Sequence, residues 1–120
     1  MNEYVKAIVV RDHDANVQWL VSDSREFAAI LGGEPEFRTI LNNQIAFFTR
    51  KDAEAEGDEN SCAVTNRRGK VVERFFGNTI ITGLFYNDSE ANKTEPDSLS
   101  EDELGFMSEY LIFSEEGEIL

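Results

Sequence analysis

Apolar positions along this chain fall mostly into short runs with a period of two, interrupted twice by a helical period. Tyr4 to Val10 is β-branched and apolar enough for a buried first strand, and Val17, Trp19 and Val21 alternate with Gln18 and Leu20 as a second strand would. Arg11 to Asn16 reads as the loop between them. The period then changes: Asp23 with Glu26 three residues on resembles a capping box, Phe27, Ile30 and Leu31 share one side of a short helix, and Gly32-Gly33 with Pro35 stop it. Phe37 to Leu41 and Gln44 to Thr49 predict a tight hairpin, because Asn42-Asn43 tolerates the positive φ of a type I′ turn.

Arg50 to Ser61 has five acids and no apolar period, so a solvated acidic loop near 51–61 is expected. Cys62 to Thr65 and Val71 to Phe76 predict a hairpin around Asn66 to Lys70, and after Gly77-Asn78 the run Thr79 to Tyr86 is the most β-prone in the chain. Asn87 to Asp97, with Pro96, reads as a flexible connector. Ser98 with Glu101, or Ser100 with Glu103, then caps a second helix through about Phe113. Its stripe is Leu104, Met107 and Leu111, widened by Phe106 and Tyr110. Gly105 weakens it by ~1 kcal/mol relative to Ala, so packing must hold it. The ending from Ser114 to Leu120 reads as a frayed end or a last short strand. The sum is one α+β domain over residues 1–120, a mainly antiparallel sheet of about six strands with two helices packed on one face.

Charge changes this picture at one end. Asn87 to Leu120 holds eleven acids and one base, Lys93, so it carries −10 of the net −13. Such polarity repels nucleic acid and attracts basic partners. No apolar stretch is long enough for a membrane span and the opening lacks the pattern of a secretory signal, so a cytoplasmic protein is expected. The single cysteine, Cys62, fits a reducing compartment, and the sequons at Asn87 and Asn92 are then coincidental.

Candidate chemistry is sparse. Asp12-His13-Asp14 places carboxylates beside the one imidazole, as an acid–base pair requires, but is also an ordinary hairpin loop. His13 with Cys62 makes a nucleophilic dyad only if the fold joins them; alone, Cys62 reads as a small buried hydrophobe. Asp52, Glu54, Glu56, Gly57 and Asp58 mimic the first half of a calcium loop, yet Ala63 stands where the bidentate carboxylate belongs. Arg67, Arg68, Lys70 and Arg74, next to Phe75-Phe76, form the basic cluster, small for gripping nucleic acid. No phosphate loop, nucleophile elbow or zinc spacing is present, and no cofactor or metal is expected.

The order of several stretches resembles a family of small, functionally uncharacterised proteins found in bacteria, phages and mobile elements. They are Val5 to Val10, Phe27 to Glu34, Asn43 to Phe48, Ala63 to Arg68, Gly77 to Gly83 and Ser98 to Leu104. The resemblance implies an opening strand pair, a helix ending in a double glycine, a central hairpin, an Asn66-Arg67 segment before a late strand and a closing acidic helix. It implies no reaction, and the acidic stretch Ala53 to Asn60 departs from the shorter pattern.

The expectation is a non-enzymatic accessory protein, phage or mobile-element encoded, that binds a protein with a basic surface. The candidate interaction surface is Asp102, Glu103 and Glu109 on the acidic helix, with Asn66, Arg67, Arg68 and Lys70 in the loop. Neither direct nucleic-acid binding nor a membrane is expected, and edge pairing of a hairpin offers a homodimer. The alternative is a DNA mimic that blocks a restriction or defence nuclease, and a third reading is a small hydrolase using Asp12 and His13.

Overall fold

The computed structural model describes residues 4–11, 14–40, 44–87 and 93–113. Their elements, in chain order, are β1 (Tyr4–Arg11), β2 (Asp14–Val21), α1 (Ser24–Leu31), β3 (Pro35–Ile40), β4 (Ile45–Arg50), β5 (Asn60–Thr65), β6 (Val71–Phe76), β7 (Thr79–Asn87), β8 (Lys93–Asp97), α2 (Glu101–Tyr110) and β9 (Leu111–Phe113). Chain neighbours pair first, β1 with β2, β3 with β4, β5 with β6 and β7 with β8, all antiparallel. Long-range pairing then makes a six-stranded sheet, β2-β1-β7-β4-β3 with β8 beside β7, and a three-stranded sheet, β6-β5-β9.

Side-chain alternation gives the larger sheet two apolar faces. Val5, Ala7, Val9, Ala46, Phe48 and Ile80 face one way and pack with Leu20 and with Phe27 and Leu31 of α1. Ile8, Val10, Ile45, Phe47 and Ile81 face the other, against Cys62, Val64 and Phe75 of the small sheet and Leu99, Met107 and Leu111. Burial on both sides is why β1 and β4 read as continuous apolar runs. Between the layers Phe75 lies flat on Phe47, centroids 4.1 Å apart and planes 8° apart.

Both helix starts carry the expected N-cap residue, but at α1 Asp23 caps through the Arg25 N–H rather than in a box with Glu26. Asp23 Oδ1 accepts the Arg25 N–H at 2.8 Å, and Gly32, at φ 82°, closes α1. Of the two caps offered to α2, Ser100 with Glu103 forms: Ser100 Oγ accepts from Glu103 N–H at 3.1 Å, and Glu103 Oε1 accepts from Ser100 N–H at 2.8 Å. This end is seated by backbone contact, since Leu99 N–H donates to the Lys6 carbonyl at 2.9 Å. Gly83 permits the seat, because a Cβ there would lie 2.9 Å from the Ser98 carbonyl oxygen.

The α+β class and antiparallel pairing stand, but four expectations need correction. Nine strands are described, in two sheets, where about six in one were expected. The helices do not share a face: α1 belongs to one apolar cluster and α2 to the other, because a sheet apolar on both sides needs cover on both. Third, α2 stops at Tyr110. Leu111 turns extended, at φ −95° and ψ 123°, and pairs with Val64, since joining β5 satisfies backbone groups that a longer helix would leave beside a bare strand edge. The connector is also shorter than expected, as Lys93–Asp97 is β8, an edge strand of the kind that tolerates Pro96. The turn residues Asn42 and Asn43, and the ending from Ser114, lie outside the described residues.

Candidate binding groove

The site begins with the turn between β5 and β6. Asn66 N–H donates to the Lys70 carbonyl at 2.9 Å, and Gly69, at φ 77°, donates to the Asn66 carbonyl at 3.0 Å. The Asn66 side-chain oxygen accepts from the Arg68 and Lys70 N–H groups at 2.9 and 3.0 Å. Asn66 is therefore a turn builder, and Arg67, Arg68 and Lys70 project around it, all exposed.

Strand β9 brings the helix end to this turn. Its pairing of Leu111 with Val64 places the last turn of α2 beside Thr65, whose Oγ1 donates to the Tyr110 carbonyl at 3.3 Å. The result is a groove of about 460 Å³ lined by Thr65, Asn66, Arg67, Phe106, Glu109 and Tyr110. Phe106 and Tyr110, one helical turn apart, form its aromatic wall, with ring centroids 4.6 Å apart. Met107, on the buried side, fixes the helix against the core.

Two separate sequence candidates thus meet, since Asn66 and Arg67 share one groove with Glu109. The others do not join them. Asp102 lies seven residues up the helix from Glu109, ~10 Å along its axis, and is exposed there. The Glu103 carboxylate closes the capping box. Arg68 and Lys70 lie outside the lining. Phe106 and Tyr110 read in sequence as core stripe; their i, i+4 spacing was the available signal, but which side of the stripe stays open follows from β9.

The acidic loop is tied down from within. The Arg50 guanidinium donates to both oxygens of Asp58, at 2.7 and 2.8 Å, and reaches Glu56 as well. Hydrogen bonding to Arg50 holds the Asp58 carboxyl below its ordinary range, and the same bonds raise Arg50. The calcium-loop resemblance fails physically, because two of its carboxylates already have a cation and Ala63 lies buried in β5. Among the described residues no group of three or more His, Cys, Asp or Glu is placed to hold a metal. A depression of about 390 Å³ beside Arg11, Gly32 and Asn78 also borders Arg50 and Asp58, so its central charges neutralise each other.

Cys62 is fully buried in the interlayer core, where burial pushes its thiol up to about 11. It is protonated and shielded at neutral pH, as the hydrophobe reading expects. Asp12 and His13 lie outside the described residues, so the hydrolase reading gains no geometry. No described helix is long and apolar enough to cross a membrane.

One residue escaped the sequence reading. Arg38 of β3 crosses to the small sheet, where it pairs with Glu73, donates to the Arg74 carbonyl at 2.9 Å and lies 4.6 Å over the Phe75 ring. With this geometry established, comparison with known proteins finds no matching family model, no matching curated protein and no matching solved structure.

Proposed function

We propose that this is a non-enzymatic accessory protein of the cytoplasm, encoded on a phage or mobile element, that binds a protein with a basic surface in the groove between α2 and the β5–β6 turn. The observation that carries this is the meeting of Arg67, Glu109 and the Phe106–Tyr110 wall in one groove on a packed scaffold. A cationic side chain of the partner meets the Glu109 carboxylate at the mouth and the aromatic faces within, a contact worth ~0.5–2 kcal/mol for the rings alone. Arg67 receives an acceptor on the same partner. Most of the net negative charge lies in the chain's last third, which favours encounter with basic surfaces.

Immobilised protein offered host lysate at low and at physiological salt should retain a partner, and purified partner should bind Glu109→Lys at least about tenfold more weakly. Rising salt should weaken the wild-type complex. No retained protein, or equal binding by Glu109→Lys and Tyr110→Ala, would overturn the proposal.

The DNA-mimic reading draws on Glu101, Asp102 and Glu109, which are exposed on one rigid helix. Against it, the Glu103 and Asp97 carboxylates accept from the backbone N–H groups of Ser100 and Ser98, which shortens any fixed row of charge. That reading requires Asp102→Asn with Glu109→Gln to relieve nuclease inhibition.

A further inference from the structure

The β1–β2 hairpin carries an apolar strip that the other described residues leave uncovered. Pairing of Tyr4 with Val21, Lys6 with Trp19 and Ile8 with Val17 puts Tyr4, Val17, Trp19 and Val21 on the sheet face shared with Ile8. Over Ile8 and Val10 the small sheet and α2 cover that face. Toward β2 the cover stops, and relative exposures are 54% for Tyr4, 53% for Val17, 65% for Trp19 and 37% for Val21. Single exposed apolar residues need no explanation, but four on one face of one hairpin do. From Ala15 to Val21 there is also no charge and no proline, the usual guards of an edge strand.

Three observations say what covers the strip. Residues 4–21 carry zero net charge, Lys6 and Arg11 against Asp12 and Asp14, in a chain of −13, so this is a region where two copies meet with least repulsion. The rim carries both signs: Lys6 is paired across from Trp19, and exposed Glu101 and Asp102 follow Leu99, whose N–H bonds the Lys6 carbonyl. A two-fold arrangement that brings each copy's Lys6 near the other's acids would be favoured by such a rim. Area is the third. At ~200 Å² per aromatic side chain, the exposed parts of Tyr4 and Trp19 present roughly 240 Å² per copy. Two copies remove roughly 500 Å² through those rings alone, less than half of the ~1,200 Å² at the lower end of specific interfaces, so the valines and rim must supply the rest and the contact is small.

We propose that the strip Tyr4, Val17, Trp19 and Val21 is a self-association surface, packing face to face on the same strip of a second copy across a two-fold axis. The contact extends the second layer over β2, where the monomer's own layer ends. Its size makes the dimer weak and concentration-dependent.

Trp19 is the chain's one tryptophan, so the proposed interface reports on itself. Sedimentation velocity from ~1 μM to ~1 mM, with emission spectra at each concentration, should show the mass rising from 13.6 kDa to twice that while emission shifts to the blue. Val17→Lys keeps the fluorophore and should stay monomeric and red-shifted, with an unchanged circular dichroism spectrum. A wild type that remains at 13.6 kDa with unshifted emission, or a Val17→Lys variant that dimerises equally, would overturn the assignment.

Discussion

The two edges of the six-stranded sheet are finished in opposite ways. At the β3 edge, Arg38 spans the gap between layers, bonded to β6 and lying over Phe75, so a charge closes the mouth of the core. At the β2 edge nothing comparable is present among the described residues, and Trp19 and Val17 face outward. Aromatic side chains therefore do different work at this face: Phe75 of the small sheet packs onto it and holds the layers together, whereas Trp19 on its β2 end faces outward. What separates them is the reach of the second layer, which covers the middle of the face and stops before β2.

The largest test of this contrast removes an aromatic ring from each end. Phe75→Ala should destabilise by ~3–5 kcal/mol, since it empties a stacked site between layers. Trp19→Ala, measured at low micromolar concentration, should cost about 0.5 kcal/mol or less. Urea unfolding of both variants by circular dichroism decides it, and equal losses would mean that the β2 strip is part of the core. Arg38→Ala should cost about 1 kcal/mol, because the exposed ion pair adds little and the loss is chiefly the contact over Phe75. Apolar dye binding should rise with it if the guanidinium seals the layers.

The smallest effect is in acid. The Asp58 carboxyl is held low by Arg50 in the folded state, so at neutral pH it is charged both folded and unfolded and its stabilisation is fully present. As pH falls through the unfolded carboxylate range near ~3.9, the unfolded chain takes up the proton first, and the contribution is lost down to the depressed folded value. Wild type should thus lose more stability than Asp58→Asn between pH ~5 and ~2. Parallel curves would show that the ion pair is fully screened.

Much of this was legible locally. The turn around Asn66 and Gly69 follows from residues within five positions of one another, and so do the Ser100–Glu103 cap and the Gly32 stop. The groove was legible only in halves. Arg67 and Glu109 each stood out by charge, but their meeting depends on Leu111–Phe113 leaving the helix to pair with β5, and a stripe that continues through Leu111 reads equally well as helix. Alternation likewise identified β2 as a strand without saying whether its apolar side would be covered.

By itself, then, the sequence determined the existence and order of most elements, their caps and turns, the buried fate of Cys62 and the concentration of negative charge in the last third. These depend on propensities and periods that act within a few residues. Tertiary structure alone decided that the sheet is covered on both faces, that Arg38 closes one edge, that Arg67 meets Glu109 and that Trp19 stays in water. Each of these rests on pairing between distant segments, β5 with β9 and β4 with β7, whose balance of burial against chain entropy is settled only when the whole sheet assembles.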